Sequence, residues 1–464
     1  MKTLISGGLV VDPSQNLEAV RDVWISDGKI EAIRPAARGP FSSRAVPGDI
    51  AEPGAARPAR QGSKPASQPE NGLRVIDAKG QWVIPGLIDM HVHLREPGCE
   101  TEESIATGTR AAALGGVTTV LAMPNTDPVV DSPALVKLLR SRATTDALVN
   151  VVIAGAVTRG QKGAELAEMG RMSQAGAVAF TDDGRPIMNA QVMRRALEYL
   201  KGLDRPLLDH CEDENLSAGG VLNEGAACAA KGLPGIPKAS ETLMAMRDVA
   251  LAEWTGGRLH LCHISCAETV GLVRRAKRRG AAVTAEAAPH HFTLTDSDVE
   301  GYDADFKMNP PLRAIEDVEA IQEGLRDGTI DAVATDHAPH AAARKALPMA
   351  QAPFGVIGLE TLLPLTLALV ERGLLTKKSL VRAVSTRPAL ILGLKQKGGL
   401  RPGMDADVTV VDSQAAALPA QCWASKSRNS PFKGKNLKGR ATAVLVGGRL
   451  VVQGGNLAGS PPDR

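Results

Sequence analysis

From Trp82 to His337 the chain alternates short apolar runs with stretches whose apolar residues recur every three or four positions. Eight runs have strand length: WVIPGLIDMHVH, VTTVLAMPN, LVNVVIAGAV, AVAFTDD, PLLDH, LHLCHIS, AVTAEAAPHH and IDAVATDH. Between them, segments such as ESIATGTRAAALG, SPALVKLLRSRA, NAQVMRRALEYLKG and ETVGLVRRAKRRG carry helical spacing. Strand followed by helix, eight times over, predicts an α/β protein built on a parallel (β/α)8 TIM barrel. LISGGLVVD, DVWISDGKIEAI and RVIDAKGQWVIPG before this region, and ADVTVVD and AVLVGGRLVVQGG after it, read as short strands punctuated by turn residues. They predict a small β-sandwich domain built from both termini. The expected division is 1–84 and 396–464 for that domain and 85–395 for the barrel.

One segment breaks the pattern. Pro35 to Gly72 holds 7 Pro and 5 Gly in 38 residues and almost no large apolar side chain. It cannot bury enough surface to offset the entropy of ordering it, so a disordered surface insertion with neighbouring ends is expected.

Composition narrows the function classes. Hydrophobic residues are 44% and charged residues 23% of 464, as in ordinary globular proteins, and a net charge of +3 gives no electrostatic case for nucleic acid or anionic membrane. Aromatic residues at 3% leave few stacking platforms for bases. The six cysteines form no C-x-x-C pair, which fits reduced thiols in a cytoplasmic protein. The first residues lack the apolar core of a signal peptide, and no apolar run is long enough to span a membrane.

The chemistry gathers at the ends of the apolar runs, where barrel enzymes carry their active sites. All nine histidines lie between His91 and His340. His91 and His93 are two apart on a strand and so share a face, able to reach one ion. Asp183, His210, His263 and Asp336 end four further runs and would project into the same mouth. Four imidazoles and two carboxylates suit Zn2+ or a similar borderline ion, and they exceed what one tetrahedral zinc uses; two ions about 3.5–4 Å apart would use them all. Strict alternation then points His260 and Cys262 toward the helices as structural residues. Cys211 reads as structural too, and the Pro-His290-His291 turn has no ligand spacing.

Taken with these ligands, Asp89-Met-His91-Val-His93-Leu-Arg95-Glu-Pro-Gly98 resembles the metal motif of bacterial type I dihydroorotases in the cyclic amidohydrolase superfamily. Met123-Pro-Asn125-Thr, Phe180-Thr-Asp-Asp183-Gly, Asp209-His210-Cys-Glu-Asp, Cys262-His263-Ile-Ser, Lys307-Met-Asn309-Pro-Pro-Leu-Arg313, Asp336-His-Ala-Pro-His340 and Phe354-Gly355 follow in family order. The resemblance implies reversible ring closure of N-carbamoyl-L-aspartate to (S)-dihydroorotate in pyrimidine synthesis, with one or two zinc ions per subunit. It implies Asp183 in place of the carboxylated lysine of other superfamily members, and so one metal position that is weak or empty. Asp336 would be both ligand and general acid/base. Arg95, with Asn125 and His340, would bind the substrate carboxylate; Asn309, Phe354 and Gly355 would contact the ring amides. Residues 341–353 read as a lid over the site. An inactive scaffold subunit for aspartate transcarbamoylase and a hydantoinase or allantoinase are the competing readings. Homo-oligomerisation and association with aspartate transcarbamoylase stay open.

Overall fold

The computed structural model describes residues 2–36 and 72–459, so residues 37–71 of the expected insertion lie outside the described residues. The N-terminal strands are β1 (Lys2–Asp12), β2 (Leu17–Ser26), β3 (Lys29–Pro35), β4 (Leu73–Asp77) and β5 (Trp82–Pro85). The barrel strands are β6 (Leu87–Val92), β7 (Val117–Ala122), β8 (Asn150–Gly155), β9 (Ala177–Phe180) and β10 (Leu207–Asp209). A two-residue parallel pair, β11 (Leu222–Asn223) and β12 (Gly235–Ile236), sits in the excursion before the helix Lys238–Thr255. β13 (Leu259–Leu261), β14 (Val283–Ala287) and β15 (Ala332–Val333) complete the barrel, and β16 (Val408–Ala416), β17 (Lys438–Val446), β18 (Arg449–Gln453) and β19 (Asn456–Leu457) follow it.

β15-β14-β13-β10-β9-β8-β7-β6 form one eight-stranded parallel sheet. A parallel bridge from Val92 to His337 brings its two edges together, and His93 N donates to His337 O at 2.9 Å. The predicted helices stand between the strands, at Ile105–Leu114, Pro133–Asp146, Ala190–Leu203 and Ala267–Arg278. The first starts at a capping box in which Ser104 and Thr107 satisfy each other's backbone N–H groups.

Two apolar layers explain the strand composition. Ile88, Met90, Leu121, Met123, Ala154, Ala179, Leu208, Cys262, Ala332 and Ala334 pack together inside the barrel, while alternate residues such as Val120, Ile153, Phe180, Leu207 and Leu261 join the layer under the helices. Burial on both faces is why β6 and β7 read as almost unbroken apolar runs.

The first apolar run proves to be two strands. At Gly86 the chain leaves the terminal sheet after β5 and enters the barrel as β6. β5 pairs with β16, so one nine-stranded sheet is made from both ends of the chain around Ile5, Val10, Val23, Ile25, Val83, Val408, Val410 and Leu445. β3 and β4 are not neighbours in it. Pro35 lies opposite Arg21 on β2, whereas Leu73 lies beside Lys2 on the other side of β1, so the expected juxtaposition of the insertion's ends is not met. All six cysteines are free thiols, and no helix among the described residues is long and apolar enough to cross a membrane.

Candidate metal centre and substrate pocket

Three residues at strand ends take left-handed backbone angles that non-glycine residues rarely adopt: Arg95 (φ 57°), His263 (φ 32°) and Asp336 (φ 47°). The turn at His263 breaks the alternation on which the sequence reading relied. His260 and Cys262 therefore point into the barrel rather than toward the helices, Cys262 lying in the inner apolar layer and His260 against Glu286.

His91, His93, Asp183, His210, His263 and Asp336 are brought together, all nearly fully buried. Asp183 stands at the middle. Its Oδ1 lies 3.2 Å from His91 Nε2, 3.7 Å from His263 Nε2 and 3.8 Å from His210 Nδ1, and its Oδ2 lies 3.5 Å from His93 Nε2. Asp336 Oδ1 is 3.1 Å from His93 Nε2 and 3.6 Å from His91 Nε2, and His210 Nδ1 is 3.0 Å from His263 Nε2. Two donors on one tetrahedral zinc, each about 2.1 Å from it, stand about 3.4 Å apart, so these spacings suit co-ligation. His91, His93 and Asp183 form one three-donor group, and Asp183, His210 and His263 form another. Among the described residues, His91 Nε2 and Asp183 Oδ1 are buried with no hydrogen-bond partner. A buried polar atom without a partner costs about 1–3 kcal/mol, and a cation placed between these donors removes that cost. The residues present therefore fit a metal ion.

Neighbouring Asp182 faces away, accepting from Val157 N (2.8 Å), Thr158 N (3.0 Å) and the Thr158 hydroxyl. Burial pushes its carboxyl up to about 6, with Thr158 opposing. Burial also acts to raise the Asp183 carboxyl, but His91 and the other imidazoles hold it well below the usual carboxylate range.

Two carboxylates not assigned from sequence orient the imidazoles. Glu286 on β14 accepts from His91 Nδ1 (2.9 Å) and His260 Nε2 (3.1 Å), which turns His91 Nε2 toward Asp183. Glu212 accepts from His210 Nε2 and Asn309 Nδ2, both at 2.9 Å. Burial works to lower the His210 pKa, but Glu212 and Asp183 outweigh it and hold the ring at about 9. Glu212 lies two residues after His210, on the same parity, and that was a legible signal. Glu286 had none, because it meets His91 only when the barrel closes. His337, also unassigned, is buried against Glu103 and receives Gly358 N at Nδ1. His290 and His291 are not among the donors; burial lowers both pKa values, His290 to about 4, and so keeps them neutral.

A cavity of about 250 Å3 opens beside the cluster, lined by Arg95, Asn125, Asn309, His340, Phe354 and Gly355 together with His93, Asp183, His210, His263 and Asp336. Arg95 donates from Nε to Pro339 O (3.1 Å), with Glu102 at 3.8 Å and His340 Nε2 at 3.4 Å from Nη2. Burial presses its pKa down. Glu102, another residue missed from sequence, also accepts from Arg344 (2.9 Å); burial acts to raise its carboxyl, but His340 and Arg95 hold it at about 2. Asn125 Oδ1 accepts from His93 Nδ1 at 2.8 Å. A larger cavity of about 790 Å3 lies at the opposite end of the barrel, beside Pro206, Leu259 and Val283, where Lys277 and Arg387 are already paired to Asp331. It lacks the donor cluster.

The fold has close solved counterparts. The L-hydantoinase (dihydropyrimidinase) of Arthrobacter aurescens matches with a TM-score of 0.83 at 25% identity, covering 98% of this chain and 97% of its own. The dihydropyrimidinase of Brevibacillus agri NCHU1002 matches at 0.80 and 22%, covering 99% and 96%. The amidohydrolase family profile matches residues 226–452, and the dihydro-orotase-like profile matches residues 80–269. Fold and site together thus define an amidohydrolase, a hydrolase whose donor cluster sits at the barrel mouth. The dihydroorotase of Pelotomaculum thermopropionicum is 50% identical over 456 residues, 98% of this chain and 99% of its own. Those of Syntrophus aciditrophicus (46%, covering 98% and 100%) and Anaeromyxobacter sp. strain K (47%, covering 97% and 98%) align equally fully. The chain belongs to the dihydroorotase family.

Proposed function

We propose that this protein catalyses the reversible cyclisation of N-carbamoyl-L-aspartate to (S)-dihydroorotate, with zinc held by His91, His93, Asp183, His210, His263 and Asp336. The observation that carries the reading is the complete donor cluster beside a buried arginine in one small cavity. At about 250 Å3 it is below the roughly 300–1,000 Å3 of drug-sized ligand sites and suits a single small ring. A complete cluster also argues against an inactive scaffold subunit.

When bound, a divalent ion supplies Lewis acidity, polarising an amide carbonyl and lowering the pKa of a water to about 7. Histidine and carboxylate donors make zinc the ion of choice. Asp183 stands within 3.8 Å of both histidine pairs and would contribute a donor to a metal held by either pair. In the hydrolytic direction Asp336 takes the proton of the attacking water and delivers it to the departing ring nitrogen; in synthesis it runs the transfer in reverse. Its carboxyl, which burial acts to raise, is held below the usual range by His93 and the other imidazoles, so it starts as a base. Arg95 offers its Nη edge to the substrate carboxylate, with His340 and the Asn125 amide beside it, and Asn309, Phe354 and Gly355 face the ring amides.

The test is spectrophotometric ring opening of dihydroorotate by zinc-loaded protein, with uncharged dihydrouracil alongside. Turnover of dihydroorotate is expected, and its absence sinks the reading. Arg95→Met should cut kcat/KM for dihydroorotate by about 10²-fold, the scale of a lost charged hydrogen-bond pair, and leave any trace dihydrouracil hydrolysis in place. Equal losses on both would indicate a site that ignores the carboxylate.

A further inference from the structure

The structure holds two buried lysines that the chemistry above does not use. Lys307 is 2% and Lys345 is 9% exposed, and neither forms an ion pair among the described residues. Backbone carbonyls surround both amines instead. Lys345 Nζ donates to Gly355 O (2.9 Å), Pro353 O (3.1 Å) and Lys307 O (3.3 Å), one carbonyl for each ammonium hydrogen. Lys307 Nζ donates to Met349 O (2.7 Å) and Ala350 O (3.2 Å) and lies 4.4 Å over the Phe354 ring.

Burying an ammonium is costly, and a methionine would fill the same stem without that cost, so the three carbonyl bonds need a purpose. Their geometry supplies one. The carbonyls of Pro353 and Gly355 flank Phe354, and Lys345 ties both to residue 307, two positions before Asn309. Gly355 N returns a bond to Lys307 O at 2.9 Å, and Asn429 Nδ2 donates to Gly355 O at 3.0 Å and Ala338 O at 2.9 Å. With its neighbours fixed, Phe354 O accepts from His340 Nε2 at 2.7 Å, and His340 in turn stands beside Arg95. Asn309, Phe354 and Gly355 all line the substrate cavity, while Lys345 does not touch it.

We propose that Lys345 is a positioning residue: its ammonium joins residues 353–355 to residue 307 and so fixes the cavity wall that meets the substrate ring. The stretch from Ala341 to Pro353 is then a strap pinned from beneath at Lys345 and Lys307 rather than a free lid. The kinetic half of this inference rests on the dihydroorotase reading; the structural half does not.

Zinc-loaded Lys345→Met and Lys345→Arg proteins test it by steady-state kinetics on dihydroorotate, zinc content and backbone hydrogen exchange. For the Met variant the expectation is faster exchange confined to residues 341–356, unchanged zinc, and a KM raised about tenfold with kcat much less affected, the scale of one lost charge-assisted bond. The Arg variant keeps a cation and donors and should fall between wild type and Met on both readouts. Wild-type exchange and KM in the Met variant would overturn the proposal, as would an Arg variant no better than Met. Loss of zinc or a rise in exchange throughout the barrel would also overturn it, by showing general support of the fold. If wild type fails to turn over dihydroorotate while the local exchange effect appears, the dihydroorotase reading fails and the clamp stands.

Discussion

Asp336 and Glu286 show how much of this site is decided by single groups. Asp336 has one oxygen 3.1 Å from His93 and is the group that moves the proton in the proposed reaction. Asp336→Asn is expected to lower kcat by about 10²- to 10⁴-fold, the usual contribution of a general acid/base, with the melting temperature near wild type. A near wild-type rate would show that the proton moves elsewhere. Glu286 uses both oxygens, one on His91 and one on His260. In Glu286→Gln one imidazole must change tautomer or lose its partner, so zinc affinity should drop about 10- to 100-fold, measured by competition with a chelating dye. Activity lost in this variant should return at saturating zinc. Failure to return would assign Glu286 to the chemistry itself. Asp336 was legible because it ends an apolar run; Glu286 sits inside VTAEA as a lone charge in an apolar strand, a buried partner that only the neighbouring strand identifies.

At the scale of elements, the strand-end turns matter more than the strands. β6, β9, β10, β13 and β15 deliver the donors, yet left-handed turns at Arg95, His263 and Asp336 set which way the arginine and two of the donors face. The segment around Phe354 offers a direct test. Gly355 has φ +122°, and a Cβ there would stand 2.6 Å from the Ala338 Cβ and 3.2 Å from His340 Nε2. Gly355→Ala therefore combines backbone strain of about 1–3 kcal/mol with a push on His340, and kcat/KM for dihydroorotate should fall. A variant with unchanged melting temperature and kinetics would show that residues 353–355 yield freely, against the pinned strap. Alternation alone misplaced His260 and Cys262, because periodicity is a property of continuous strand and His263 interrupts it.

For the whole molecule, ion binding, protonation and stability are linked through the same imidazoles. His210, held at about 9 by Glu212 and Asp183 against the pull of burial, has a folded pKa above its unfolded value of about 6.5. Its contribution to the stability of the metal-free chain is thus fully present below about 6.5 and is lost as pH rises through 9. In the proposed reading His210 is a zinc ligand, which requires the ring neutral, so zinc binding would displace that proton and strengthen with pH across the same window. Calorimetry of chelated and zinc-loaded protein at pH 6.5 and 9 should show a gain in Tm from zinc that is larger at pH 9. A gain that does not grow with pH would separate His210 from the metal.

The sequence by itself determined the barrel, the terminal sheet and the six convergent donors. Strand order in a parallel barrel follows chain order, and a residue that ends a barrel strand has only one mouth to face. Local patterning was enough for these. The tertiary structure decided what depends on contacts between elements far apart in the chain. The pairing of β5 with β16 split the first apolar run between two sheets. Closure of the barrel set Glu286 against His91, the turn at His263 turned His260 inward, and the course of β3 and β4 kept Pro35 and Leu73 apart. Periodicity records which face of an element is buried; it does not record which charged group waits on the other side.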